Sequence, residues 1–495
     1  MYLTGFPRII VNMSLALATF MIVLDYSIAN VSIPYISGDL AVSVDQGTYV
    51  ITSFAVGNAI VLALTGWLTK RIGAIKLLCA SILLFTLFSW ACGAAVNLPM
   101  LVICRFIQGA VSGPLIPLSQ SLTVSCNPPE KQNSALGIWA TIIITAPIAG
   151  PMLGGWISYD YTWPWIFYIN IPVGIICSLL IWTYLKDRKT PIEKGPFDYI
   201  GLIFLIIAVG CLQIFLDKGE QYDWFRSNLM CTLIISSIIA FTLLIIWELS
   251  HPTPLLELRL FKTKSFFASI IFVFVGYAIY FGSVVLVPLW LQTNMGYTSV
   301  WAGFAVAPIG IAPALFGFFT PKIYTRYGIR FTIFLCYTLF ALSCFFTAFF
   351  DTDVDIWHIG FSRFLLGCAF VFFMTPILAL SMQDLPQEKL PSGTGIFHFV
   401  RAMSGAIGTS VFTTMWTRRS AFHHERVGSA INLSPPDTSQ GLALLNNSLN
   451  NQAAILAIND CFYFMGWTLL ALLLFLPLAK RKAASAAPKE MLTDE

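Results

Sequence analysis

Fourteen long apolar segments run along the chain, separated mostly by short polar stretches. A helix needs about 20 consecutive apolar residues to cross the hydrocarbon core of a bilayer, and each segment is close to that length. The pattern therefore predicts an all-α integral membrane protein with fourteen transmembrane helices. The segments are residues 12–34, 48–68, 76–96, 99–121, 134–157, 164–185, 199–216, 229–248, 267–291, 301–320, 331–350, 356–382, 393–416 and 454–478.

The composition supports a membrane location. Hydrophobic residues make up 57% of the chain and charged residues 11%, whereas about 25% are charged in soluble domains. The eleven cysteines form no CxxC pair and do not cluster in loops, so neither a disulfide framework nor a metal site is predicted. The sequence contains no HExxH, GxSxG or Walker A string, and we therefore expect neither an enzyme nor an ATP-driven pump.

The net charge of +4 follows the membrane topology and does not indicate a nucleic-acid partner. With the N-terminus inside, five of the 28 Lys and Arg residues fall outside and three fall within apolar segments, which leaves 20 on the cytoplasmic side. Cytoplasmic loops carry an excess of Lys and Arg, so this asymmetry predicts that both termini are cytoplasmic. The three intramembrane arginines are Arg105, Arg363 and Arg401.

An internal duplication divides the chain. NPPEKQNSALGI at 127–138 matches LPQEKLPSGTGI at 385–396 at six of twelve places, with an offset of 258. The same offset aligns Arg105 with Arg363, and an offset of 255 aligns KRIG at 70–73 with TRYG at 325–328. Parallel repeats of this kind are typical of transporters with a substrate site between the halves. Two repeats that only pack a membrane scaffold are the alternative.

We therefore predict two six-helix bundles joined by two additional helices. The bundles are residues 1–190 and 255–480, the two-helix insertion is 191–254, and a cytoplasmic tail covers 481–495. Residues 417–453 form the only long non-cytoplasmic segment. Because this segment is polar and too large for a turn, we predict an external loop that could contact a partner.

The loop between the second and third segments reads GWLTKRIGAIK and resembles the GxLaDRxGRR motif of the major facilitator superfamily. Gly66, Arg71 and Gly73 match the motif, while Lys70 stands where the family usually has aspartate. In the family this loop belongs to a cytoplasmic gate, and its glycines permit tight turning and close helix approach. The resemblance implies a gating loop; a basic loop that only sets topology is the alternative.

Arg105 and Gln108 lie in RFIQG, which resembles the family's fourth-helix pattern RxxQG. The family associates this arginine with proton transfer. A buried guanidinium keeps its proton and needs an acceptor. An arginine held by backbone carbonyls for structure alone is the other interpretation.

The fifth segment contains GPMLGG, which resembles the GPxxGG motif found mainly in the antiporters of the superfamily. Gly150, Pro151, Gly154 and Gly155 match it. The resemblance implies export, and the alternative is a string that only packs helices together.

The first segment carries LDYSIANVSIP, which resembles LDxTIVNVALP of the fourteen-helix drug:proton antiporter branch, with Asp25 and Asn30 matching. WIFYINIP at 165–172 resembles the WRWIFxINVP motif of the same branch. These matches identify the chain as similar to the EmrB-like multidrug exporters of that branch.

Asp25 and Arg105 are the candidate proton-coupling residues. An ionisable side chain at the centre of a membrane helix costs about 2.5–3.5 kcal/mol on insertion scales and is a functional candidate. At roughly 1.5 Å per residue, the two residues lie about 16 and 9 Å from the outer ends of their helices. A long arginine side chain and helix tilt can bridge this difference, so the two side chains can meet. An aspartate that only ties helices together is the alternative for Asp25.

We expect a substrate cavity lined by Asn30, Gln108, His398 and Arg401. His398 and Arg401 are one turn apart, and the 258 offset aligns them with Ala140 and Ile143, so the pair is not part of the duplicated scaffold. They favour anionic or polar substrates. Equally, Arg401 could be held by neighbouring carbonyls.

The sequence thus predicts a proton-coupled antiporter that exports amphipathic drugs or toxic compounds across the bacterial inner membrane without a cofactor. The resemblance implies as partners a periplasmic adaptor of the EmrA type and an outer-membrane channel. A dedicated exporter of one endogenous metabolite, such as a siderophore, is the alternative within transport, and import is disfavoured by GPxxGG. A membrane sensor is a third possibility, but no added soluble domain accompanies the segments.

Overall fold

The computed structural model describes residues 3–188, 198–252, 254–317, 320–386, 389–430 and 439–478. These residues form nineteen α-helices joined by turns and three short 3-10 helices, without a strand. The first nine are α1 Gly5–Asp39, α2 Val44–Gly47, α3 Tyr49–Ile72, α4 Ala74–Gly93, α5 Leu98–Ser112, α6 Leu115–Cys126, α7 Pro129–Asp160, α8 Trp165–Tyr168 and α9 Asn170–Leu185. The remaining ten are α10 Tyr199–Lys218, α11 Asn228–Ser250, α12 Lys264–Thr293, α13 Ser299–Val306, α14 Pro308–Phe316, α15 Thr320–Thr347, α16 Ile356–Val371, α17 Met374–Met382, α18 Leu390–Ala430 and α19 Ser439–Leu472.

Eleven helical stretches in the described part of the chain are long and apolar enough to cross a membrane. The predicted all-helical membrane protein is therefore confirmed. The predicted segments 134–157, 301–320 and 393–416 lie on α7, on α13 with α14, and on α18, outside those eleven stretches. The count of fourteen transmembrane helices and the cytoplasmic position of both termini stay predictions.

Four predicted segments are each broken into two helices beside a proline. α5 and α6 meet just before Leu115 at Pro114, and α14 begins at Pro308. α9 and α17 each contain a proline in the first turn, Pro172 and Pro376. Proline has no backbone N–H and its ring collides with the preceding turn, so the helix is interrupted there. Apolar length shows where the chain crosses a membrane, but not where it bends.

The same helix pairs pack together in two parts of the molecule. We call α1–α9 the first half and α12–α19 the second half. α1 packs on α7, α3 on α5 and α4 on α9, and the corresponding pairs in the second half are α12 with α18, α14 with α16 and α15 with α19. Across the halves, α3 packs on α18 and α7 on α13 and α14. The sequence repeat is thus also a repeat of helix packing.

Two glycines turn the chain at equivalent places in the halves. Gly73 separates α3 from α4 with φ at 92°, and Gly328 kinks α15 with φ at 80°. Residues with a Cβ rarely adopt these values, so glycine is required at both positions. The KRIG and TRYG strings therefore match in backbone conformation as well as in sequence.

Within the predicted external loop at 417–453 the described residues are helical, and the external position of the segment stays a prediction. α18 continues to Ala430 and α19 begins at Ser439, while residues 431–438 lie outside the described part. The Arg419 side chain forms an ion pair with Asp460, whose carboxylate also accepts from His423 Nε2 at 2.7 Å. Hydropathy marks the edge of the membrane, whereas backbone hydrogen bonds and such side-chain pairs carry a helix beyond it. We call residues 417–430 of α18 and 439–453 of α19 the external hairpin, after the external side that the sequence predicts for them.

Candidate functional site

A buried ion pair joins α1 to α5. Arg105 Nη1 lies 2.5 Å from Asp25 Oδ2, and the two side chains are 0% and 1% exposed. The helices α1 and α5 thus bring together the two intramembrane charges that the sequence singles out. Pairing and hydrogen bonding compensate for removing both groups from water, since neither ion is tolerated alone in such surroundings.

Three neutral side chains surround the carboxylate. Asn170 Nδ2, at the start of α9, donates to Asp25 Oδ1 at 2.8 Å. Gln108 Oε1 accepts from Arg105 Nη1 at 2.8 Å, and its Nε2 donates to Ser89 Oγ on α4 at 2.6 Å. Four helices therefore converge on Asp25, with N–H groups aimed at its oxygens. Donors of this kind hold an ionised carboxylate strongly.

The remaining contacts of Arg105 fix its orientation. Its Nε donates to the carbonyl of Val50 at 3.3 Å, and its Cζ lies 4.3 Å from the Phe54 ring centre and 5.3 Å from that of Phe167. Its Nη2 has no hydrogen-bond partner among the described residues. A buried ion pair contributes little net stability compared with apolar packing. The pair is therefore a candidate for a function beyond folding.

Asn170 and Ser89 are functional candidates that the sequence prediction missed. Asn170 lies in WIFYINIP, which carries a family resemblance, but its neutral amide gives no signal of intramembrane charge. Ser89 is one hydroxyl in an apolar helix and gives no signal at all. Only the fold shows that Asn170 bonds to Asp25 and that Ser89 bonds to Asn170 and Gln108.

The second half contains an equivalent arginine with different partners. The 258 offset aligns Asp25 with Ser283 and Arg105 with Arg363. Arg363 Nη1 donates to Ser283 Oγ at 2.8 Å and its Nη2 to Thr347 Oγ1 at 2.6 Å. The arginine is 0% exposed, and no carboxylate bonds to it within the described residues. The repeat has kept the cation and has a hydroxyl where the first half has an acid.

The antiporter-like motif packs α7 against α1 directly after Asp25. A Cβ added at Gly150 would lie 2.3 Å from Ser27 Oγ, and one at Gly154 would lie 3.0 Å from the carbonyl of Ile28. A Cβ at Gly155 would meet nothing within 4 Å. The first two glycines therefore permit the close approach, and the third does not. Pro151 lies in α7, but its side chain is outside the described part.

The predicted gating loop lies where α3 approaches the second half. A Cβ added at Gly395 of α18 would lie 3.8 Å from the backbone nitrogen of Gly66. Arg71 is exposed at the end of α3, next to the turn at Gly73. The side chain of Asn30, on α1, is outside the described part.

His398 and Arg401 form a second cluster on α18. Arg401 Nη1 donates to the Tyr277 hydroxyl at 2.5 Å, and its Cζ lies 4.8 Å from the centre of that ring. His398 is 1% exposed. No hydrogen bond between described residues links this cluster to Asp25, so Gln108 belongs with the ion pair and the other two cavity candidates lie elsewhere.

Comparisons with known proteins agree with this architecture. Residues 15–409 match the family model described as Major Facilitator Superfamily. The chain is 39% identical over 486 residues to the multidrug export protein EmrB of Escherichia coli strain K12, covering 95% of each. It is 40% identical over 466 residues to the fatty acid resistance protein FarB of Neisseria gonorrhoeae, covering 91% of this chain and 92% of FarB.

A solved structure of the peptide transporter POT in complex with sulfate has a similar fold. Its TM-score is 0.63 at 13% sequence identity, and the alignment covers 97% of this chain and 98% of that one. At this identity the likeness concerns the fold alone.

Proposed function

This chain belongs to the major facilitator superfamily, and from that premise we propose that it is a proton-coupled antiporter that exports amphipathic drugs or toxic compounds by alternating access. It is a multi-pass efflux transporter of the bacterial inner membrane and not an enzyme. Its similarity to a multidrug export protein and a fatty acid resistance protein supports a small amphipathic substrate. The observation that carries proton coupling is the buried ion pair of Asp25 and Arg105.

Protonation of Asp25 is the step that this ion pair would control. The ionised carboxylate holds Arg105 Nη1 and Asn170 Nδ2, and through them α5 and α9, against α1. A proton on Asp25 removes the negative charge while the guanidinium stays charged, so the attraction between the helices falls. Uptake of a proton from outside and its release inside would then alternate two packings of the halves.

The proton gradient supplies the free energy, and no cofactor is required. One proton crossing 100 mV releases about 2.3 kcal/mol. That amount sustains a substrate gradient of roughly fiftyfold.

The contrast between the halves supports this assignment to the first half. Serine does not ionise at physiological pH, and a buried arginine keeps its proton. Arg363 with Ser283 is therefore a fixed cation, whereas Arg105 with Asp25 includes a group that titrates. We infer that coupling depends on the first pair only.

The substitution Asp25→Asn tests the proposal. It keeps the size and a hydrogen-bonding amide but cannot exchange a proton, so proton-driven export from everted vesicles should be abolished. Asp39→Asn is the matched control, because Asp39 lies on the same helix and accepts from Trp163 Nε1 at 2.7 Å outside the pair. Unchanged export in Asp25→Asn vesicles, with the protein correctly inserted, would remove Asp25 from the mechanism.

We further propose that the external hairpin contacts a periplasmic adaptor of the EmrA type, which leads to an outer-membrane channel. The hairpin carries exposed charge, including Arg418, beyond the apolar part of α18. Replacing residues 424–450 by a short Gly/Ser linker retains the Asp460 contacts described above. We expect drug resistance of whole cells to fall to that of a deletion strain while export from vesicles persists. Full resistance with the linker would exclude the hairpin as the docking element.

Export of one endogenous metabolite, such as a siderophore, is the second candidate, because the FarB relative is named for resistance to a single class of compound. Metabolite and drug-susceptibility profiles of a deletion strain separate the two. Sensitivity to many unrelated drugs supports a multidrug exporter, and accumulation of one metabolite supports a dedicated one.

A further inference from the structure

We propose that Arg401, His398 and Tyr277 form a binding subsite for the carboxylate head of an amphipathic substrate, and that the aromatic rings beside Tyr277 receive its apolar part. The inference rests on the proposed export function and deepens it by naming the charge class of the substrate. The subsite lies in the second half, away from the proton-coupling pair.

Arg401 is held in place with unused hydrogen-bonding capacity. The hydrogen bond from Nη1 to the Tyr277 hydroxyl fixes the guanidinium, and the ring lies beneath it. Its Nε is buried and has no hydrogen-bond partner among the described residues. No carboxylate pairs with it in that part of the chain. A half-buried cation in this state attracts an anion with two oxygens, which matches the planar geometry of a guanidinium.

His398 adds a second unused donor on the same helix face. It is 1% exposed, and neither ring nitrogen has a partner within the described residues. Buried polar groups are nearly always hydrogen-bonded, so this imidazole requires a partner from outside the described residues, which a water or a ligand can supply. Residues three apart are neighbours on a helix, which puts His398 next to Arg401. An imidazole N–H and a guanidinium N–H are both donors, and a carboxylate accepts from both.

The position of the pair suits a substrate that passes between the halves. Gly395, one turn before His398, packs close to the α3 backbone at Gly66. Residues three apart share a helix face, so the side of α18 that carries His398 is turned toward the first half. The 258 offset places Ala140 and Ile143 at the equivalent positions. The polar pair therefore has no counterpart in the repeat.

A packed aromatic cluster extends from Tyr277. Its ring centre lies 4.8 Å from that of Phe281 and 6.3 Å from that of Phe373. Tyr280 stacks on Phe370 with ring centres 4.5 Å apart. These rings pack tightly, and the gap among Tyr280, Phe340, Leu366, Phe370 and Phe373 is too narrow to hold a water molecule. A charged head at Arg401 and an apolar tail that enters when these rings move apart describe a monocarboxylic amphiphile.

Equilibrium binding without a proton gradient tests the subsite. The probes are dodecanoate and dodecan-1-ol, which share a chain and differ in head charge, measured on the full-length protein in lipid nanodiscs against empty nanodiscs. We expect Arg401→Gln to weaken dodecanoate binding by about ten- to hundredfold, the range typical of a lost charge-assisted hydrogen bond. Binding of the alcohol should be unchanged. Arg401→Lys and His398→Phe should each weaken dodecanoate binding by a smaller factor.

Arg418→Gln is the matched control, since it removes an exposed arginine of the same helix outside the subsite and should leave both affinities intact. If Arg401→Gln does not give folded protein, Arg401→Lys and His398→Phe carry the test. Equal affinity of the variants and the wild type for dodecanoate, or an equal loss for acid and alcohol, would overturn the subsite. Those outcomes leave the Asp25→Asn test untouched, because binding is measured without a gradient.

Discussion

Arg105 and Arg363 are the same residue in two copies of one helix, and their acceptors differ by one functional group. Arg105 faces a carboxylate and Arg363 faces hydroxyls. Both guanidiniums also lie near a phenylalanine, Phe167 or Phe462, at 5.3 and 5.4 Å. Arg363 is therefore an internal control for the effect of the Asp25 carboxylate on Arg105.

Lysine substitutions at the two arginines should separate coupling from structure. Lysine keeps the charge but loses the fork that bonds Asp25, Gln108 and the Val50 carbonyl together. We expect Arg105→Lys to reduce proton-driven export about tenfold or more, and Arg363→Lys to retain coupling even where its thermal stability falls. Transport in proteoliposomes with and without an imposed pH gradient measures the difference. Equal losses of coupling in both variants would show that the carboxylate is not what distinguishes the halves.

The sequence was sufficient to predict the two charged residues of the candidate site. Asp25 and Arg105 could be paired because an intramembrane charge is costly and the helix rise fixes its depth. Asn170 and Ser89 could not be predicted, since a neutral side chain in a membrane helix costs little and their lateral positions depend on how four helices pack.

At the scale of helices, the position of a segment was predictable and its end was not. Apolar length located each segment on one helix or on two consecutive helices, because the bilayer sets that length. The extension of α18 to Ala430 could not be found in this way, since the Arg419 and Asp460 pair that accompanies it is polar and joins distant parts of the chain.

The close packing of α7 on α1 can be tested by adding a single methyl group to a glycine of α7. Gly150→Ala would force its Cβ against Ser27, whereas Gly155→Ala would meet open space. Overpacking costs about 1–3 kcal/mol, so the first variant should unfold at lower temperature and export more slowly. The second should resemble the wild type in both respects. Similar behaviour of the two variants would show that the motif is not needed for the approach of α7 to Asp25.

In the whole molecule, the additional helix α10 packs on α11 and contacts both halves. Lys218 Nζ at the end of α10 donates to Thr48 Oγ1 beside α3 at 2.5 Å, and Ser410 Oγ of α18 donates to the Leu216 carbonyl at 2.8 Å. The sequence gave no indication of these contacts, because α10 and α11 have no counterpart in the repeat. The division into bundles at 1–190 and 255–480 stays a prediction, and α10 is the element that any relative motion of the halves must accommodate.

A carboxylate introduced at Ser283 tests whether the missing acid is what prevents the second half from exchanging a proton. Ser283→Asp would give Arg363 the acid that Arg105 has, and Ser283→Asn is the neutral control. If each half then exchanges a proton, the steady-state substrate gradient at 100 mV should rise by roughly another fiftyfold. The accumulation ratio in vesicles, measured against imposed gradients, gives the number of protons per cycle. An unchanged ratio in a correctly folded variant would mean that the second half does not move its ion pair between the two sides.

On the proposed mechanism, the hydroxyl at Ser283 limits the transporter to one proton per cycle. A transporter with one titrating half sustains a smaller substrate gradient but needs only one proton to complete a cycle. Two titrating halves would sustain a steeper gradient and turn over more slowly. Because Arg363 already bonds to position 283, the proposed mechanism makes the balance between the substrate gradient and the turnover rate depend on one side chain.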